Sequence, residues 1–236
     1  VVIHYQPQYD VATGEMTGVE ALLRWQHPEL GLLAPDVFIP IAERSGLILP
    51  IGDWVLDRAC AQLRAWHDAG HSEWSMAVNL SPLQFASPAL LDSVREVLQR
   101  HRIEPACLTL EITETTAMKD VDASLAILND LTAMGVHIAI DDFGTGYSSL
   151  LYLKRMPATE LKIDRAFVHD LECNEEDAAI VSSIIALGRT LQLQVVAEGV
   201  ETQAQREYLS ELGCDQLQGY HLGRPMDAEE FLRRVG

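Results

Sequence analysis

Short β-rich runs alternate with longer amphipathic segments along the whole sequence, and this alternation restricts the fold more than any other feature. Strand-like runs are read at 1–9, 16–25, 75–81, 108–113, 136–143, 160–164, 194–200 and 215–219. Helical periodicity falls at 53–69, 89–101, 123–134, 177–191, 203–212 and 228–235, and Leu56, Cys60, Leu63 and Trp66 form one apolar stripe of the first. Asn174 and Thr202 read as N-caps, and Gly70, Gly135 and Gly213 as C-terminal stops. Eight strands with helices between most of them and no second core predict an α/β fold, a closed (β/α)8 TIM-like barrel in one domain. One junction departs from that pattern. Runs 1–9 and 16–25 are joined only by DVATGE, whereas parallel neighbours need a crossover of about a dozen residues. The first strand is therefore expected to be antiparallel.

The 236 residues are 48% apolar and 22% charged, which excludes disordered, collagen-like and low-complexity classes. A chain of this length buries a core without disulfide or metal staples. No apolar run reaches the ~18–20 residues of a membrane span, so no direct membrane insertion is expected, and no signal peptide is read. The opening, strand-like and without Met, is read as that of a single domain, 1–236, cut from a longer protein. Seventeen basic against 35 acidic residues give a net charge of −18. That charge repels DNA and RNA polymers and anionic membranes, while a bound cation could still invert the sign at one phosphate site. The four cysteines form no CxxC pair and are read as free buried thiols in a reducing cytosol, not zinc ligands.

Polar residues recur at the C-terminal ends of successive strand runs: Glu20 and Arg24, Asn79, Glu111, Asp141 and Asp142, Lys162, Glu198 and Gln218. In a barrel those ends meet around one mouth, where catalytic groups sit. A single Asp or Glu after a strand is ordinarily a helix cap or a solvated loop residue, and Asp142 or Glu114 could serve so. Capping does not account for seven strands in a row. Adjacent strand residues face opposite ways, so Asp141 and Asp142 share a site only if the strand has ended or bulged there.

Carboxylates gathered in one mouth repel each other; two unit charges 4 Å apart do so by ~4 kcal/mol at an effective dielectric of 20. Cations relieve this. The donors Glu20, Asn79, Glu111, Asp141, Asp142 and Glu198 all offer oxygen, which suits Mg2+, Mn2+ or Ca2+ better than zinc or copper. Six donors exceed what one Mg2+ takes from protein, so two ions sharing a bridging Asp are expected, an arrangement suited to phosphoester hydrolysis. Lys162 adds a fixed positive charge for a phosphate oxygen or the attacking water; its alternative is a pair with Asp164 on the same strand face. There is no Walker loop, no GxGxxG and no GxSxG elbow. His67 and His71 read as surface residues, the acidic run Glu172–Asp177 as a solvated helix start, and the four tryptophans as packing groups.

These residues lie within EALLRW, PDVFIPIAERSGLI, VNLS, LEITET, DDFGTGYSSL, LKID, VVAEGVET and LQGYHLGRP, in that order. The set resembles the EAL-domain phosphodiesterases that hydrolyse cyclic di-GMP, over the whole chain. The resemblance implies a barrel with an antiparallel first strand and turnover of cyclic di-GMP to linear 5′-pGpG. It implies that Glu20, Asn79, Glu111 and Asp141 hold one Mg2+ or Mn2+, and that Asp141, Asp142 and Glu198 hold the second. Lys162 is similar to the family's catalytic lysine at the water. Gln218 is similar to a glutamine that supports water in the site. Gln6, Leu22 and Arg24 resemble substrate contacts, with Arg24 near a phosphate. Glu114 resembles the anchor of the loop after strand run 136–143, which in the family links a homodimer interface to metal binding. Degenerate members lose such groups and act as catalytically silent cyclic di-GMP receptors. None of the carried-over positions departs here, which favours an enzyme. A weaker alternative is an unrelated metal-dependent barrel acting on carboxylate substrates. The resemblance also implies regulatory domains in a longer signalling protein and a cytoplasmic place for this domain, even where the parent is membrane-tethered.

Overall fold

The computed structural model describes residues 1–146 and 150–235. Its strands are β1 (Val2–Asp10), β2 (Met16–His27), β3 (Gly31–Leu33), β4 (Ser75–Asn79), β5 (Leu108–Thr113), β6 (His137–Phe143), β7 (Glu160–Ile163), β8 (Gln194–Ala197) and β9 (Gln216–Leu217). Helices α1 (Pro35–Ser45) and α2 (Ile48–Asp68) precede β4, and α3 (Pro82–Phe85) and α4 (Leu90–His101) follow it. After β5 come α5 (Glu114–Lys119) and α6 (Val121–Ala133); after β6, α7 (Leu150–Leu153). Helices α8 (Arg165–His169) and α9 (Glu175–Leu191) lead to β8, α10 (Gln203–Leu212) leads to β9, and α11 (Ala228–Val235) ends the described chain.

The sheet order β1-β9-β8-β7-β6-β5-β4-β2 closes on itself through the β1–β2 pair, giving eight staves. Strands from β2 to β9 pair in parallel around the wall, whereas β1 is antiparallel to both of its neighbours. This is the reversed first strand the short DVATGE link requires. β3 stands outside the wall as a hairpin on β2.

The predicted strands all appear, with no end moved by more than three residues and 108–113 matched as read. Among the helices, α2 starts at Ile48 rather than Asp53, and α1 was not anticipated as a helix. Pro35 at its first turn and Gly46 in the left-handed region (φ 74°) after its end are the signals that mark it. Asn174 caps α9, accepting from the backbone N–H of Glu176 at 3.0 Å, and Glu175, Glu176 and Asp177 fill a first turn that favours negative charge. Thr202 and Gln205 form a capping box on α10.

Strand alternation separates two environments. Leu108, Leu110 and Ile112 on β5, Ile138 and Ile140 on β6, and Leu161 and Ile163 on β7 are buried against the helices. Burying such a side chain contributes roughly 1.5–3 kcal/mol. The intervening residues, Thr109 and Glu111 or Glu160 and Lys162, fill the barrel interior. Trp66 of α2 stacks on Phe231 of α11 at 4.9 Å and meets Tyr5 edge-on at 5.0 Å, securing β1 beneath both helices. Trp74 also packs there, and His71 stacks on it at 4.0 Å, while His67 contacts its carbonyl. The cysteines are free; Cys60 and Cys214 are buried, whereas Cys107 is half-buried and Cys173 exposed, so the expected burial holds for two of them. Among the described residues no helix is long and apolar enough to cross a membrane.

Candidate active site

Lys162 stands on β7 between two residues turned to the helical layer, so its side chain occupies the barrel interior. Its Nζ lies 2.7 Å from Glu111 Oε1, 2.6 Å from Glu198 Oε1, 3.6 Å from Glu20 Oε2 and 3.8 Å from Asp141 Oδ1. Strands β2, β5 and β6 and the residue just after β8 thus deliver one carboxylate each to a single ammonium. Asp164 is not that ammonium's partner: it caps α8, accepting from the Ala166 N–H at 2.7 Å.

The charges do not balance. Burial disfavours the charged form of Lys162, but the four surrounding carboxylates outweigh it and hold the lysine firmly protonated. Burial, then the repulsion of Glu20, pushes Glu111 well above the carboxylate range. Glu198 is pushed up to about 8 by burial and by Asp141 and Glu20, against the pull of Lys162. Burial also raises Asp141, and burial with Asp141 beside it raises Asp142 to about 7. Glu20 alone runs the other way. Its burial is outweighed by Lys162 and by two amides: Gln218 Nε2 donates to Oε2 at 2.5 Å and Asn79 Nδ2 to Oε1 at 2.7 Å.

One cation shared by four carboxylates leaves the site short of positive charge. Both Glu111 oxygens are buried without a well-formed hydrogen bond among the described residues, and Oε1 has the Lys162 ammonium at 2.7 Å. Desolvated carboxylate oxygens outnumbering their one cation, in an all-oxygen donor set, suit a hard divalent ion. As they stand, no three His, Cys, Asp or Glu among the described residues form a closed ligand cluster.

The condition on Asp141 and Asp142 is met. The β6–β7 register breaks between Ile140 and Phe143, and Asp142 takes a left-handed backbone (φ 53°). Both aspartates then line the same cleft of about 430 Å3, together with Glu20, Leu22 and Asn79. Lys162 and Glu111 lie beneath its floor with no side-chain exposure. Gln6 is buried beside Gln218, with its Nε2 donating to Gly223 O at 2.9 Å and its Oε1 accepting from Gln218 at 3.0 Å. Arg24 is half-buried and donates to Leu23 O at 2.8 Å; it does not line the cleft. Glu114 opens α5 and accepts from the Gly144 N–H at 2.9 Å, tying β5 to the start of the loop after β6. Tyr147, Ser148 and Ser149 of that loop's motif lie outside the described residues.

The EAL-domain family model matches residues 1–225. The chain belongs to the EAL-domain family. It is 63% identical over 235 residues to the bifunctional diguanylate cyclase/cyclic di-GMP phosphodiesterase MucR of Pseudomonas aeruginosa, covering 100% of this chain and 34% of that protein. It is 46% identical over 234 residues to the cyclic di-GMP phosphodiesterase NbdA of the same organism, covering 98% of this chain and 30% of that protein. The solved structure of the P. aeruginosa MucR phosphodiesterase in complex with c-di-GMP aligns with a TM-score of 0.96 and 63% identity, over 98% of this chain and 93% of that one. The chain spans about a third of the length of these curated relatives.

Two parts of this EAL site escaped the sequence reading. The cleft wall is built by Ile39, Pro40 and Glu43 of α1 and Ile48 and Ile51 of α2. The 3.6-residue spacing of Pro35–Ser45 was the available signal. Gln8 reaches Gln218, and its position two residues after Gln6 on one strand already puts both on one face.

Proposed function

We propose that this EAL domain is a metal-dependent phosphodiesterase that hydrolyses cyclic di-GMP to linear 5′-pGpG. The observation that carries the reading is the Lys162 ammonium ringed by four buried or half-buried carboxylates within 3.8 Å, more negative charge than one cation balances. The substrate follows from the names of MucR and NbdA and from the MucR complex with c-di-GMP. Glu20, Asn79, Glu111 and Asp141 would hold one Mg2+ or Mn2+, and Asp141, Asp142 and Glu198 the second. Such ions supply Lewis-acid charge for the phosphodiester and for the attacking water.

The chain's own groups do the rest. Forming 5′-pGpG adds a water oxygen to phosphorus and breaks its bond to one ribose 3′-oxygen, which leaves with a proton. Lys162, held protonated, donates from Nζ to the water or to a nonbridging phosphate oxygen. Glu198, 2.6 Å from that Nζ, holds it in place and reaches toward the mouth. Gln218 fixes Glu20 through its amide N–H and in that way supports the water beside Glu20. Gln6, Leu22 and Arg24 seat the nucleotide, with Arg24 serving a phosphate. Glu114 steadies the loop after β6 through Gly144.

The domain, residues 1–236, is read as one unit of a longer signalling protein, working as a homodimer in the cytoplasm under regulatory modules, with or without a membrane tether in the parent. Family membership and the one-third length share support this. The test is nucleotide chromatography after incubation of cyclic di-GMP with the purified chain and Mg2+ or Mn2+. Linear product is expected. Tight binding without product would identify a receptor module instead, and absence of any affinity would favour a different substrate class. Sedimentation of the same sample reads the dimer.

A further inference from the structure

Three buried glutamines, Gln6, Gln8 and Gln218, form a hydrogen-bonded chain whose direction is fixed from one end. Glu20 is a carboxylate and only accepts, so the group 2.5 Å from its Oε2 is the NH2 of Gln218. The carbonyl Oε1 of Gln218 must then point away, and Gln8 Nε2 meets it at 2.9 Å. The second Gln218 amide proton goes to Gln6 Oε1 at 3.0 Å. Glu20 and Gln6 thus take the amine end of Gln218, and Gln8 supplies the hydrogen bond that holds its carbonyl end.

A second observation points to the same contact. Gln8 stands opposite Gly18 in the β1–β2 register. A Cβ on Gly18 would lie 2.6 Å from Gln8 Oε1 and 3.1 Å from Ser75 Oγ. Gly18 is not among the positive-φ glycines, so its backbone does not ask for glycine, and a side chain there would instead push the Gln8 amide aside.

We propose that Gln8 is a positioning residue: by donating to Gln218 Oε1 it locks the Gln218 amide with its NH2 toward Glu20 and the reaction site, in a space that Gly18 leaves open. This rests on reading Gln218 as part of the phosphodiesterase site. Without the Gln8 donor, rotation of the amide would set Gln218 Oε1 against the Glu20 carboxylate, acceptor against acceptor.

The test uses the whole chain with Gln8→Met, which keeps the shape and removes the donor. In the metal-free protein, the Gln218 side-chain amide signal is identified in a 15N spectrum by its loss in Gln218→Ala. Slow proton exchange is expected for the parent, and faster exchange with a shifted signal for Gln8→Met. With Mg2+ and cyclic di-GMP, kcat is expected to fall about 10–100-fold with KM little changed, the usual cost of losing a group that orients another. Gln8→Met added to Gln218→Ala should cost nothing more. Gly18→Ala presses on the same contact independently and should reproduce both effects. An unchanged Gln218 signal in Gln8→Met, or penalties that simply add in the double variant, would overturn the proposal. A parent that shows the protected amide but no hydrolysis would count against the phosphodiesterase reading and leave the amide lock standing.

Discussion

Lys162 Nζ stands 2.7 Å from Glu111 Oε1, and neither side chain has any exposure to solvent. A lysine so placed does two things at once: it offers a proton donor, and it neutralises part of a carboxylate ring that would otherwise disrupt the barrel mouth. Removing one partner of such a buried pair costs about 3–5 kcal/mol. Lys162→Met is therefore expected to lose about that much stability in metal-free buffer, as read by urea unfolding, along with all turnover. The stability loss should be larger at pH 8 than at pH 5, because the freed carboxylates can protonate at the lower pH. Stability equal to the parent at both pH values would refute the role of the ammonium as counterion. Glu20→Ala is expected to abolish turnover with the fold intact.

Divalent ions should act on the fold as well as on the chemistry. A chelator is expected to stop cyclic di-GMP hydrolysis, and Mg2+ or Mn2+ to restore it; Ca2+ should inhibit. Ions that bind the gathered carboxylates of the folded chain alone should each add ~2.7 kcal/mol of stability at 100 times Kd. Differential scanning fluorimetry with and without Mg2+ checks this, and an unmoved melting point would argue against an ion site.

Glu160 lies lower in the same barrel interior, buried, accepting from Thr109 Oγ1 at 3.2 Å. Burial raises its pKa, against the pull of Lys162. An acid whose folded pKa is raised binds protons more tightly folded than unfolded. Its contribution to stability therefore falls as pH rises from the unfolded value through the folded one. Glu160→Gln removes that penalty, so the variant should gain on the parent between pH 4 and neutrality. Urea midpoints across that range provide the check; a difference independent of pH would contradict the assignment.

Asp142 separates backbone from side-chain demands. Its left-handed conformation suits glycine and is tolerated by Asp, but it costs other residues roughly 1–2 kcal/mol. Asp142→Gly should thus unfold at an equal or higher denaturant concentration while losing hydrolysis. Asp142→Val should lose both. If Asp142→Gly kept full activity, the carboxylate would have no place among the metal ligands.

The barrel was legible because strand-like runs alternate with helical segments along the chain, and its reversed first strand because the DVATGE link is too short to cross over. The mouth was legible because Glu20, Asn79, Glu111, Asp141, Glu198 and Gln218 recur at one end of the strands. Sequence could not settle where Lys162 points, since four methylenes reach either Asp164 or the carboxylates across the barrel. Closure decides it: only the folded wall brings β2, β5, β6 and β8 to the same lysine. Short elements such as α5 and α8 contain too few residues to display a period, and their Thr113 and Asp164 caps resemble ordinary loop residues. The spacing of Gln8 from Gln6 puts both on one strand face, but only the folded barrel shows that this face meets Gln218.

The reversed first strand has a practical corollary. Val2 pairs with Arg24, well past Glu20 on β2, so the amino end of the barrel starts beside the reactive rim. In a uniformly wound barrel it would start at the opposite pole. A fluorescent protein fused ahead of Val1 would sit near the nucleotide, where it could report occupancy or obstruct access. An epitope spliced into the Thr13-Gly14 turn would hang from the far pole, remote from both.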